Sequence, residues 1–270
     1  MPSLGRFFSQ KILLTIGARR PFNHSAVARR VELSSKLSRI CDNSVLSGPF
    51  KGMRLPDMSS LGDADRAPKL LGTYEENLHG SLAKAVARVP SLVINVGCAE
   101  GYFAVGLARL LPDATVHAFD IDEDVAALCH ETAKINGVSD RVTIGTSYRA
   151  AMLDGLVKNH ARVLIFMDCE GAEVDLLDPS LSRRLADCDI IVETHDATSP
   201  NIRDTLEKRL SASHFVDRIP HGGRDPNRFP ELHSWPEMDR WLVVSEARPQ
   251  GMTWLACFTR NHANIGISEP

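Results

Sequence analysis

Two apolar runs of this chain each end in a knot of ionisable side chains. Val163-Leu164-Ile165-Phe166-Met167 leads into Asp168, with Glu170 and Glu173 close behind, and Ile190-Ile191-Val192 leads into Glu193, His195 and Asp196. Continuous apolar runs read as buried strands of a parallel sheet, and such sheets place ligands beyond the carboxyl ends of their strands. Carboxylates are rarely buried without partners, so a group converging at neighbouring strand ends exceeds what packing needs. His195 is the first candidate for a general base, because imidazole titrates near neutral pH and a neighbouring carboxylate can orient it. Asp168 is the second candidate, and Glu193 completes the catalytic set. The same Asp168, Glu193 and His195 offer the oxygen and imidazole donors that a divalent metal accepts. No H-x-x-x-H or dense D-x-D spacing accompanies them.

A second pattern lies upstream. Leu92-Val93-Ile94-Asn95-Val96 runs into Gly97-Cys98-Ala99-Glu100-Gly101, a helical pattern follows, and His117-Ala118-Phe119 runs into Asp120. A strand, a glycine-bearing turn, a helix, and a second strand ending in a carboxylate roughly twenty residues on form the layout of a nucleoside-binding crevice. A dinucleotide turn reads G-x-G-x-x-G so that backbone and helix N-terminus can approach a pyrophosphate. Here Ala99 stands between the glycines, and Glu100 would repel a phosphate. The turn therefore suits a cofactor without phosphates. Asp120 has the position from which a carboxylate accepts ribose hydroxyls. Ile121 or Asp122 would flank the base on one side, and Gly145-Thr146-Ser147 on the other.

These segments resemble class I S-adenosylmethionine-dependent methyltransferases, whose first motif reads acidic-x-G-x-G-x-G. Asn95, Gly97, Ala99 and Gly101 fall on its four defined positions, with Asn95 in place of the acid and Ala99 in place of the middle glycine. Asp168-Cys169-Glu170-Gly171-Ala172-Glu173 is similar to the D-x-E-G-A-E segment of FkbM-type methyltransferases, and Ile190 to His195 resembles their next strand. The resemblance spans about Leu71 to His195. It implies S-adenosylmethionine as cofactor, held by Asn95, Gly97, Cys98, Ala99, Gly101, Asp120, Ile121, Asp122, Thr146 and Asp168. It also implies that Tyr74 and Glu75, just ahead of the first strand, cover that cofactor. The same residues read as a helix start, with Thr73 and Glu76 forming a capping box. The implied activity is methyl transfer, with a hydroxyl of a sugar, glycan or secondary metabolite as acceptor. Two alternatives remain: an NAD-dependent oxidoreductase, which the missing G-x-G-x-x-G opposes, and a non-catalytic cofactor-binding scaffold, which the altered Asn95 and Ala99 leave open.

The elements needed to position these residues are legible. Apolar runs at about 91–96, 114–120, 141–145, 162–168, 188–194, 213–219 and 253–259 alternate with helical spacings such as Phe103-Val105-Leu107-Ala108-Leu111. The pattern predicts an α/β, Rossmann-like, doubly wound, mostly parallel seven-stranded sheet with helices on both faces. The expected domains are a basic N-terminal helical extension and linker over 1–68 and the cofactor-binding domain over 69–270. In the extension, Val27, Val31, Leu33, Leu37 and Ile40 share one helical face, and Pro49 to Pro68 reads as an irregular linker.

The 270 residues are 43% hydrophobic and 24% charged, with a net charge of −3, so the composition gives no reason to expect nucleic acid as partner. The charge is uneven: residues 1–40 carry +7, leaving −10 for the rest. That start reads as an organellar transit peptide, or as a solvated helical arm that docks on an anionic partner or a membrane face or supports a homo-oligomer. Ile12 to Ile16 is too short an apolar run to span a membrane. Arg224, Asn227 and Arg248 are candidates for an anionic or polyhydroxylated small-molecule or glycan acceptor. The six cysteines are scattered without a C-x-x-C pair. They predict a reducing, cytoplasmic setting, and packing for Cys98 and Cys169.

Overall fold

The computed structural model describes residues 21–57, 65–196, 199–246, 248 and 252–262. The run Ile12 to Ile16, and with it half of the basic N-terminal segment, lies outside them. The chain divides into two compact units, one within Met1–Glu76 and Gly223–Ala247, the other within Asn77–Gly222 and Arg248–Pro270.

The second unit is a seven-stranded sheet. Its strands are β1 (Leu92–Val96), β2 (Thr115–Phe119), β3 (Val142–Gly145), β4 (Val163–Met167), β5 (Cys188–Thr194), β6 (His214–Pro220) and β7 (Thr253–Thr259), in the order β3-β2-β1-β4-β5-β7-β6. The pairs from β3 to β5 are parallel, whereas β7 runs antiparallel to both β5 and β6. The central strands β1, β4, β5 and β7 are buried along their whole length, which is why they read as mostly apolar runs. Edge strand β6 alternates and carries Asp217 and Arg218, charges that discourage pairing with another chain.

Both faces are covered. On one, Leu92, Ile94, Ile165 and Ile190 pack against Leu177, Ile202, Leu206 and Leu210. On the other, the Phe166 ring lies 4.2 Å from Phe103 and 5.1 Å from Trp254. Apolar side chains are thus removed from water on both sides of one sheet, as a doubly wound fold requires.

The helices begin in the first unit with α1 (Pro21–Cys41) and α2 (Arg66–Leu71), continue in the second with α3 (His79–Ala87), α4 (Tyr102–Leu110), α5 (Glu123–Ile135), α6 (Leu153–Val157), α7 (Glu173–Leu176), α8 (Ser182–Leu185) and α9 (Ile202–Leu210), and return to the first with α10 (Glu237–Val243). Sheet order reverses between β1 and β4, each of which continues in sequence to the opposite side. The crevice at such a reversal is where ligands bind.

In the first unit, the buried stripe of α1 differs from the expected one. Arg30, Leu33, Ser34 and Leu37 are buried, while Ile40 is exposed. The reason is polar: Arg30 donates to Asp65 and to the Ser245 carbonyl, both at 2.7 Å, so a charge can enter the interior. Of the stretch expected to be a linker, residues 58–64 lie outside the described residues, and the rest is packed as well. Phe50, Met53 and Leu55 are buried, and Arg66 at the start of α2 donates to Ser38, Asn43 and the Pro56 carbonyl. Among the described residues no helix is long and apolar enough to cross a membrane.

Candidate functional site

The turn after β1 is shaped by its protein neighbours. Gly97 has a φ of +77°, and a Cβ there would lie 1.6 Å from the Asp168 carbonyl oxygen. Only glycine lets the turn close on the end of β4. Gly101, at +92°, would place a Cβ 2.9 Å from Cys129 Sγ. The small residues expected to admit a ligand are thus already required by packing. Ala99 itself takes a positive φ of 46° where the resembling motif has glycine.

The amides of this turn are spent inside the protein. Gly97 and Cys98 donate to the Phe119 carbonyl at 2.8 and 3.0 Å, and Gly101 donates to the Cys98 carbonyl at 2.8 Å. Ala99 donates to Asp120 Oδ2 at 2.9 Å, and the Asp122 amide donates to Asp120 Oδ1 at 3.0 Å. A pyrophosphate site needs N–H groups aimed at its oxygens, and these point elsewhere. Asp120 keeps capacity, because a carboxylate offers about four lone-pair sites and these amides use two. Burial raises its pKa above the usual aspartate value against the opposing pull of the two amides.

Around Asp120 the expected residues take different roles. Ile121 is 78% exposed, an unusual place for a large apolar side chain. Asp122 instead caps α5, accepting from the Asp124 and Val125 amides. Thr146 is exposed after β3. Asn95 is buried within the sheet: its Nδ2 donates to the Phe166 carbonyl at 3.2 Å, and among the described residues its Oδ1 has no hydrogen-bond partner. Cys98 is also buried, and contact with Cys129 and burial both push its thiol up, so it is no nucleophile.

The ends of β4 and β5 assemble the second group around His195, which is 1% exposed. Its Nδ1 lies 2.6 Å from Glu173 Oε1, a carboxylate that is fully buried at the start of α7 and also accepts the Gly171 amide at 3.1 Å. Among the described residues its Nε2 has no hydrogen-bond partner, and it faces Asp168 Oδ1 at 3.4 Å, Glu193 Oε2 at 3.5 Å and Glu170 Oε2 at 3.7 Å. Arg248 donates to both oxygens of Glu193, at 3.1 and 3.3 Å. Burial disfavours a charged imidazole, but the Glu173 hydrogen bond and the surrounding carboxylates outweigh it and raise the His195 pKa. Burial likewise disfavours the Glu173 carboxylate, but His195 outweighs it and lowers its pKa.

The remaining predicted residues fall in the first unit. Tyr74 lies under Lys69, whose Nζ is 5.0 Å from the ring centre. The Glu75 amide donates to Glu246 Oε1 at 3.1 Å. Thr73 forms no capping box, since its hydroxyl donates to the Pro68 carbonyl. Arg224 and Asn227 are engaged there too: Arg224 is buried on Glu246 and the Thr73 carbonyl, and Asn227 bonds Asp225 and Arg240. What sequence reasoning missed is that Glu173 turns back onto His195 and that Arg248 sits on Glu193. Neither spacing carries a local signal, because both pairings are made by the fold.

Comparison with known proteins finds no matching family model and no matching curated protein. Solved structures with a similar course of chain include the O-methyltransferase TomG from Streptomyces achromogenes in complex with SAM, at 14% identity and a TM-score of 0.44 over 85% of this chain and 89% of that one. An O-methyltransferase from Bacillus cereus in complex with SAH gives 12% identity and 0.46 over 85% and 90%. TrmN from Thermus thermophilus gives 23% identity and 0.40 over 59% and 50%.

Proposed function

We propose that the chain is an S-adenosylmethionine-dependent methyltransferase acting on a hydroxyl acceptor, with a sugar, glycan or secondary metabolite as the substrate class. The observation that carries the reading is the chemistry of the crevice: the amides of Gly97, Cys98, Ala99 and Gly101 are used internally, while carboxylates gather at the neighbouring strand ends. Such a surface repels phosphates and attracts cations. When bound, S-adenosylmethionine supplies an activated methyl group on a positively charged sulfonium. Asp120 fits its ribose hydroxyls through its unused lone pairs, and exposed Ile121 offers an apolar surface to adenine. The FkbM-like D-x-E-G-A-E stretch supports the same assignment.

The residues of this chain have two further tasks. They hold the acceptor oxygen in line with the methyl group, which removes the entropy cost of the encounter. They also take up the hydroxyl proton. Asp168, Glu193 and His195 form the group that does both, with Glu173 and Arg248 fixing His195 and Glu193 in place. Six unpaired thiols suit a reducing cytosol. An oxidoreductase reading has no donor array for a dinucleotide pyrophosphate here.

The test is to incubate the protein with S-adenosylmethionine and a panel of polyhydroxylated acceptors and to follow S-adenosylhomocysteine by mass spectrometry. Acceptor-dependent release, lost in Asp168→Ala and His195→Ala while cofactor binding persists, supports the proposal. Equal release with and without every acceptor, in wild type and variants alike, would overturn it.

A further inference from the structure

We infer that Asp168, Glu193 and His195 form a binding site for one divalent cation of the transition row, with Mn²⁺ as its natural probe. What such an ion does for the acceptor rests on the function proposed above; whether it binds does not.

Three observations converge. The imidazole is almost wholly buried, and among the described residues its Nε2 has no hydrogen-bond partner. A buried polar atom in that state needs an explanation, and a cation held there is one. The donor spacing is also right. Oxygen and nitrogen ligands each about 2.1 Å from one ion stand roughly 3.0–3.5 Å from each other. Nε2 lies 3.4 Å from Asp168 Oδ1 and 3.5 Å from Glu193 Oε2, and the three donor atoms are all within 4.8 Å of one another. Finally, the supporting contacts are those of a metal-bound histidine. Nδ1 is 2.6 Å from buried Glu173, which fixes the ring and leaves Nε2 as the coordinating atom. Arg248 holds Glu193 and offsets part of its charge.

The donor set selects among ions. Mg²⁺ prefers oxygen ligands and keeps its waters, whereas imidazole suits first-row transition ions. Two carboxylates and one imidazole therefore favour Mn²⁺ over Mg²⁺ and leave further positions open for oxygens of the acceptor. An ion here would hold a hydroxyl and acidify it; with the ion bound, His195 would serve as ligand instead of taking the proton as proposed above, and the proton would leave to a carboxylate or to water.

The test is a calorimetric titration of the full chain, first stripped with EDTA, with MnCl₂ in the absence of cofactor, paired with the Mn²⁺ electron paramagnetic resonance signal. The expected result is one ion per chain, with Mg²⁺ at least about tenfold weaker. Asp168→Asn should weaken Mn²⁺ binding by about 30-fold or more, and Glu173→Gln by about 10- to 100-fold, the range for residues that support a ligand. No Mn²⁺ binding by wild type with a native circular dichroism spectrum would overturn the inference, as would binding indifferent to Asp168→Asn. In the first case His195 Nε2 is left to act as a proton acceptor. The same samples titrated with S-adenosylhomocysteine separate the two proposals. Cofactor binding without Mn²⁺ binding sinks the cation site alone, and the converse sinks the methyltransferase reading alone.

Discussion

The backbone amide of Ala99 donates to the carboxylate of Asp120 at 2.9 Å, tying the turn after β1 to the tip of β2. The residue proposed to hold the ribose is thus also the residue that fixes the turn. Its second oxygen receives the Asp122 amide, so the carboxylate is aimed before any ligand arrives. Preorganisation of this kind lowers the entropy lost on binding.

The close approach of Gly97 to β4 gives a stability prediction. A Cβ at Gly97 meets backbone at 1.6 Å and requires a left-handed conformation, so Gly97→Ala should destabilise the protein by at least about 3 kcal/mol or prevent folding. Gly155, within α6, has open space where a Cβ would stand and an ordinary φ. Gly155→Ala should therefore stabilise by about 0.5–1 kcal/mol. Urea denaturation of the two variants checks the contrast, and equal effects would contradict it.

The buried pair Glu173 and His195 gives a second. Glu173→Ala removes the partner of His195 Nδ1 and of the Gly171 amide, and both side chains of the pair are buried. Removing one member of a buried ionic pair costs about 3–5 kcal/mol. The midpoint of chemical unfolding should fall accordingly, whereas a change below about 1 kcal/mol would show that the pair is solvated.

Much of this arrangement was legible from the chain, and the limits have physical causes. All seven strands lie where apolar runs predicted them, and the central ones most plainly, because a strand buried on both faces is mostly apolar; β5 and β7 match to the residue. Asp120, Asp168 and His195 were legible because strand ends at a sheet's carboxyl edge follow from the strands. Pairings across long separations were not. Asp189 lies inside β5, where it accepts from Arg88 at 2.6 Å and from the Thr259 amide at 3.0 Å, and no local pattern announces either partner. The buried face of α1 departs from its apolar stripe for the same reason, since Arg30 is buried by partners 35 and 215 positions away.

The cysteines give a third prediction. Burial pushes the Cys188 thiol up to about 12 and raises Cys257 and Cys169 as well. Thiolate is the reactive form, so these groups should resist iodoacetamide at about pH 7.5 in the native protein and react only in denaturant. Peptide mapping that found Cys188 or Cys257 alkylated rapidly under native conditions would contradict the packing.

The central claim is that the crevice between β1, β2 and β4 holds S-adenosylmethionine, and calorimetric titration with S-adenosylmethionine and S-adenosylhomocysteine tests it most directly. Binding of both is expected at one site per chain, weakened by about 100-fold or more in Asp120→Ala, because each hydrogen bond from a ribose hydroxyl to a charged group contributes about 1.5–3 kcal/mol. Binding of NADH with no response to either sulfur compound, or cofactor binding unchanged in Asp120→Ala, would contradict it.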